Sequence, residues 1–205
     1  MSPRTAEQNE QIRAESRRRI VDEALALFAE HGYAGTSVRM IADAAGISPG
    51  LLYNYFENKQ ALLHAIFEES MADVRASFAM ADDAPPKQRL ERLVRGSFAI
   101  LRRNLTFWKL SYGVRMQPAV LAGLGPELHE WTAAIRRTLQ GYLRDAGVAR
   151  PDVEAAALFA LIDGISQHYV LEPDRYPLDA VIDLVIARYC VAGRATIVAR
   201  GRRTR

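Results

Sequence analysis

The sequence predicts an all-α protein. Every long segment repeats its apolar residues at helical period, no stretch sustains the apolar/polar alternation of a sheet strand, and glycine or proline interrupts the chain at helix-length intervals. A length of 205 residues fits one small helical module followed by a larger helical domain.

The first apolar stripe is Ile20, Ala24, Leu27 and Phe28, preceded by Arg13, Arg17, Arg18 and Arg19 and ended by His31 and Gly32, a last-turn residue and an αL cap. Val38, Ile41, Ala42 and Ala45 form a second, shorter stripe. Gly46-Ile47-Ser48 breaks it, and Ser48 followed by Pro49 is the order of an N-cap and a first helical residue, so a third short helix runs through Phe56. From Asn58 a longer helix carries Leu62, Leu63, Ile66, Phe67 and Val74 and stops before the loop Asp82-Asp83-Ala84-Pro85-Pro86. Leu90, Leu93, Val94, Phe98 and Leu101 mark the next helix, and Phe107 to Met116 stays apolar up to a break at Gln117-Pro118. Gly123, Gly125 and Pro126 predict a further interruption, followed by a helix with Leu128, Trp131, Ile135, Leu139 and Tyr142 that runs to Gly147. A helix opening near Asp152 ends before Pro173, and the last begins near Pro177-Leu178, ending after Cys190 in a tail rich in arginine from Arg194 to Arg205.

Composition narrows the function classes. With 49% hydrophobic and 25% charged residues the chain reads as an ordinary globular protein, and no apolar run reaches the roughly 18 residues of a membrane span. Cys190 is the only cysteine, which excludes a disulfide scaffold and suits a reducing compartment. The polar start Met1-Ser2-Pro3-Arg4-Thr5 has no signal-peptide core, so a cytoplasmic location is expected. His31, His64, His129 and His168 are scattered, and neither zinc-ligand spacing nor a phosphate loop nor a nucleophile elbow occurs, so no catalytic residue, metal or cofactor is expected.

A chain that reads DNA through the major groove needs a supporting helix, a tight turn and a second helix whose outward side chains reach base edges and phosphates. Thr36 to Phe56 meets these needs: Ile41 and the small Ala42 form an inner face, Gly46 supplies the turn, and Ile47, Leu52 and Phe56 close the unit. The residues left outward are Pro49, Gly50, Leu51, Tyr53, Asn54 and Tyr55. That surface lacks the Glu and Lys of a solvated helix and offers close backbone approach, hydroxyls and an amide instead.

The run from Ala42 to Leu62 resembles the TetR/AcrR family signature, matching it at Gly46, Ser48, Gly50, Leu52, Tyr53, Phe56, Lys59 and Leu62, and Ile20 to Gly35 resembles the family's first helix. Two positions depart: Tyr55 stands where histidine is frequent, and Leu51 replaces a small polar residue. The resemblance implies that Thr36 caps the second helix and meets DNA together with Ser37 and Arg39. It implies also that Ser48, Tyr53, Tyr55 and Lys59 bind phosphates and that Gly50, Leu51 and Asn54 face the groove beside the outward Pro49; the departure at Leu51 places an apolar side chain where it suits a thymine methyl. Asn54 and Arg39 are the candidates for base discrimination.

The implied architecture is an N-terminal arm and helix-turn-helix reader over residues 1–62, and a ligand-binding and dimerisation domain over 63–205. Phe98, Leu101, Phe107, Trp108, Tyr112, Met116, Trp131, Phe159, His168 and Tyr169 are candidate lining residues for a bulky, largely apolar ligand, with the Gly/Pro-broken stretch from Gln117 to Pro126 as a movable wall. The last two long helices are apolar on more than one face, as homodimerisation requires. The expected partners are a palindromic operator in double-stranded DNA, a small-molecule effector and a second copy of the chain. The alternative is an architectural DNA-binding protein without ligand control.

Overall fold

The computed structural model describes residues 6–79 and 83–190, which form helices and no strand. In order they are α1 (Ala6–Gly35), α2 (Val38–Ala44), α3 (Pro49–Tyr53), α4 (Lys59–Ala79), α5 (Pro86–Arg103), α6 (Leu105–Val114), α7 (Pro118–Asp145), α8 (Pro151–Leu171) and α9 (Leu178–Tyr189). Met1 to Thr5, Asp82 in the acidic loop and the arginine-rich tail beyond Cys190 lie outside the described residues. No described helix is long and apolar enough to cross a membrane.

Two compact units result. The first holds α1 to α4, the end of α5 from Ala99, α6 and α7 up to Trp131; the second holds the start of α5, the rest of α7, α8 and α9. In the first unit α1 packs against α2, α4 and α6, and α2 packs against α3. Ile20, Val21, Ala24 and Phe28 are the buried face of α1, joined by Ile41, Ala42, Leu52, Leu62, Leu63, Ile66 and Phe67. In the second unit α8 packs against α9, and Arg95 of α5 pairs with Glu91 at 2.9 Å and with Asp183 of α9 at 3.1 Å.

Besides α3, which ends at Tyr53 and not at Phe56, two elements differ from the sequence reading. Helix α1 begins well before its apolar stripe, so that the four arginines belong to it. Ala, Glu, Gln and Arg favour a helix without an apolar face, and a periodicity argument does not see a helix made of them. The second difference is α7, which runs unbroken through Gly123, Gly125 and Pro126. Each glycine costs about 1 kcal/mol in a helix and the proline removes one backbone bond. Packing against α4 outweighs these costs. Gly123 leaves room for the Gln60 side chain, whose amide occupies the place a Cβ would take. Four residues on, Glu127 meets His64 at 3.2 Å, and after another turn Trp131 stacks on Phe67 with centroids 6.2 Å apart and planes at 8°.

Candidate nucleic-acid interface

The turn between α2 and α3 follows from its local chemistry. Gly46 sits at φ +67, the left-handed region where a side chain is strained, and its neighbour Ile47 donates its N–H to the Ala42 carbonyl at 3.0 Å, closing the end of α2. Ser48 then caps α3, its hydroxyl oxygen accepting from the Leu51 N–H at 3.2 Å, with Pro49 at the first helical position. Leu52 and Phe56 are buried on the inner side.

The outward face is the one the sequence describes. Ser48, Pro49, Gly50, Leu51, Tyr53 and Asn54 are exposed, Tyr55 is half-buried, and none of them is charged. Leu51 and Tyr53 are exposed by 41% and 53%, and an apolar side chain at Leu51 is chemically suited to a thymine methyl. Arg39 stands exposed on α2, loosely paired with Asp43 at 3.8 Å.

Thr36 and Lys59 make contacts within the reader that the sequence does not reveal, and for Thr36 they replace the expected cap. The cap of α2 is Ser37, whose hydroxyl oxygen accepts from the Met40 N–H at 3.2 Å, and not Thr36. Thr36 is buried, and its hydroxyl lies 2.9 Å from the Gly32 carbonyl and 3.1 Å from that of Leu27, tying down the end of α1. Gly32 (φ +75, ψ 158) kinks the end of α1, and in the segment that follows the Thr36 side chain is buried while Ser37 takes the N-cap position.

Lys59 is likewise turned inward. Its ammonium donates to the carbonyl oxygens of Tyr33 at 2.8 Å and Thr36 at 2.9 Å and lies 4.3 Å from the centre of the Tyr33 ring. Burial holds its pKa below the ordinary lysine value. The start of α4 is capped by Asn58, whose side-chain oxygen accepts from the Ala61 N–H at 2.8 Å.

The candidate ligand residues divide between the two units. In the first, Phe107, Trp108 and Tyr112 of α6 form a chain of ring contacts, and Phe67 of α4 meets both Phe107, at 5.1 Å, and Trp131. Leu101 is buried in this unit, and Met116 is 87% exposed at the α6–α7 junction. Trp108 keeps a buried indole N–H without a hydrogen-bond partner, a polar group suited to a ligand acceptor. The stretch from Pro118 to Pro126 is helix and not a loop wall. In the second unit Phe98 is buried, Phe159 and Tyr169 are half-buried, and His168 is exposed with its ring stacked on Tyr176 at 6.2 Å. Phe67, which connects the aromatic residues of the first unit, escaped the sequence reading because its apolar spacing on α4 marks core and nothing more.

Known proteins match the chain over both its N-terminal and its C-terminal part. Residues 20–66 match the model of the bacterial regulatory proteins of the tetR family, and residues 86–190 match the C-terminal model of BetI-type transcriptional repressors. The HTH-type transcriptional regulator PksA of Bacillus subtilis is 29% identical over 183 residues, covering 83% of this chain and 87% of that protein. The HTH-type transcriptional repressor DhaR of a Mycobacterium species is 26% identical over 181 residues, 82% of this chain and 89% of its own. The solved structure of the Bacillus subtilis regulator FadR in complex with stearoyl-CoA superposes with a TM-score of 0.71 at 20% identity, covering 86% of this chain and 99% of that one.

Proposed function

Since the chain belongs to the TetR family of bacterial regulatory proteins and is a helix-turn-helix transcriptional regulator, we propose that it represses transcription as a homodimer and releases its operator on binding a small, largely apolar ligand. The observation that carries this reading is the uncharged, exposed face of α3, with Gly50, Leu51, Tyr53 and Asn54 presented by a helix that Ser48 caps and Gly46 aims.

Residues 1–62 are the reader in this proposal. Ser37, Ser48, Tyr53 and Tyr55 bind phosphates, Asn54 and Arg39 read bases, and Pro49, Gly50 and Leu51 line the groove. Thr36 and Lys59 support the reader from within, in keeping with their hydrogen bonds to the end of α1. Residues 63–205 are the sensing and dimerising part. Leu161 of α8 and Leu184 of α9 stay exposed in the single chain, Leu184 by 70%, which favours a second copy covering these helices.

The rings of Phe67, Phe107, Trp108, Tyr112 and Trp131 are the effector end of the mechanism. The same α4 whose Lys59 holds the reader carries Phe67 into this cluster, so a ligand that separates the rings acts on the reader through one helix. Such a ligand shifts the DNA-bound population only by its differential affinity for the two states. That a regulator of this fold is found with stearoyl-CoA supports a ligand with a long apolar portion.

Selection of bound sequences from a random pool of duplex DNA tests the proposal. A palindromic site with half-sites about one helical turn, 34 to 36 Å, apart is the expected result. Uniform binding of all sequences, unaffected by acyl-CoA or free fatty acid, overturns it in favour of an architectural protein.

A further inference from the structure

We propose that Arg13 is a further DNA-contacting residue, a phosphate clamp that the Tyr55 ring holds at the rim of the reading helix. The inference rests on the DNA-reading role given above and extends the interface to a part of α1 outside the helix-turn-helix.

From Ala6 to Arg19 the residues of α1 are exposed, apart from the half-buried Ser16. Arg13 does not trail freely from this segment: its guanidinium carbon lies 5.8 Å from the centre of the Tyr55 ring, within cation–π reach. Tyr55 directly follows Asn54, the C-cap of α3, so this stack fixes a cation next to the outward face that meets the groove.

Charge accounting singles out Arg13. Arg17, one turn further along α1, lies over the Phe56 ring at 5.2 Å but is paired with Glu69. Arg39 has Asp43 beside it, and the Lys59 ammonium is spent on two backbone carbonyls. Among the described residues Arg13 has no carboxylate partner, so of these three arginines it alone keeps an uncompensated charge, and the Lys59 ammonium is directed at the backbone. A guanidinium held 5.8 Å from the ring centre is not buried beneath it and still presents N–H donors, and its planar fork matches two oxygens of a phosphate. The Tyr55 hydroxyl adds a neutral donor at the same place. Neither group reads a base, so the clamp supplies affinity and register but no sequence preference.

The test measures duplex binding of the full-length protein against salt, for its selected site and for a scrambled duplex. Arg13→Ala is expected to weaken both duplexes alike by about five- to tenfold and to lower the salt slope by about one, the signature of one lost phosphate contact. Arg13→Lys should recover part of the affinity. Arg18→Ala, a charge removed from a different side of the same helix, should cost distinctly less. In a Tyr55→Ala background the effect of Arg13→Ala should shrink, because the ring no longer holds the guanidinium. An unchanged salt slope in Arg13→Ala, or equal losses from Arg13→Ala and Arg18→Ala, overturns the clamp and leaves the reader intact. If the unaltered protein shows no salt-dependent duplex binding, the DNA-reading role itself falls, and the clamp with it.

Discussion

The Lys59 ammonium donates a hydrogen bond to the Thr36 carbonyl oxygen across 2.9 Å, joining the first residue of α4 to the chain just before α2. With the second bond to Tyr33 it ties the start of α4 to the end of α1 and the residue that follows it. Lys59→Met keeps the aliphatic stem and removes the donors. It is expected to cost about 1–3 kcal/mol of stability, as for hydrogen bonds to a charged group. Urea unfolding measures this, and DNA affinity should fall by no more than the loss of folded protein explains. A variant of full stability with specifically weakened DNA binding would instead make Lys59 a phosphate ligand.

Thr36 and Ser37 should separate in the same way. Thr36→Val keeps the buried shape and loses the hydroxyl that ties down Gly32 and Leu27. About 1–2 kcal/mol is expected, read as a lower urea midpoint with the slope unchanged. Ser37→Ala removes the cap of α2 for about 1 kcal/mol and, if the serine also meets DNA, weakens binding beyond its effect on folding. Equal profiles for the two variants in both assays would contradict this division.

The helix-turn-helix was legible in the sequence because its determinants are local. Gly46 needs a positive φ, Ser48 and Pro49 mark a helix start, and Ile41, Ala42 and Leu52 sit at helical spacing, all within a dozen residues. What escaped depends on residues far apart in sequence. The inward turn of Lys59 arises only where the start of α4 meets a carbonyl 26 residues earlier. The continuity of α7 through two glycines and a proline rests on Gln60, His64 and Phe67 of α4, which lie about 60 residues before their partners and offset the local preference to break. The polar start of α1 was missed for a simpler reason: without an apolar face it leaves no periodic trace.

Gly46→Ala tests the turn. No atom lies within 4 Å of the added Cβ, so the penalty comes from φ +67 alone and should be about 1 kcal/mol, with Gly46→Asn milder because asparagine tolerates the left-handed region. Operator affinity should fall more steeply than stability in the alanine variant, because relaxing that dihedral re-aims α3. Calorimetry and binding isotherms on the same preparations compare the two losses.

Cys190 gives a pH dependence with a definite sign. Burial, reinforced by the nearby charge of Glu91, pushes its thiol up to about 11 from an ordinary 9.0. The unfolded chain therefore ionises first, so this contribution to stability is complete below about pH 9 and is lost as the pH climbs towards 11. A thiol so held is also a poor nucleophile. At pH 8 an aromatic disulfide reagent should label it far more slowly in the native protein than in urea, and equal rates would show that the thiol is not held in its neutral form.

Base discrimination is the sharpest test of the reader. Asn54 is exposed at the end of α3, its backbone N–H committed to Leu51 and Leu52 while its side chain lies on the outward face. An asparagine amide pairs bidentately with adenine, a contact worth about 1–3 kcal/mol against a wrong base. Asn54→Ala should therefore lose about ten- to a hundredfold on the selected site and little on variants changed at the position it reads, relaxing the preference there while the salt slope stays unchanged. Tyr53→Phe should do the reverse, costing all sequences alike, because a phosphate contact carries no base information. If Asn54→Ala instead weakened every duplex by one common factor, the amide would be a phosphate ligand, and sequence preference would have to come from Arg39, from Leu51 against a thymine methyl, or from the shape of the DNA.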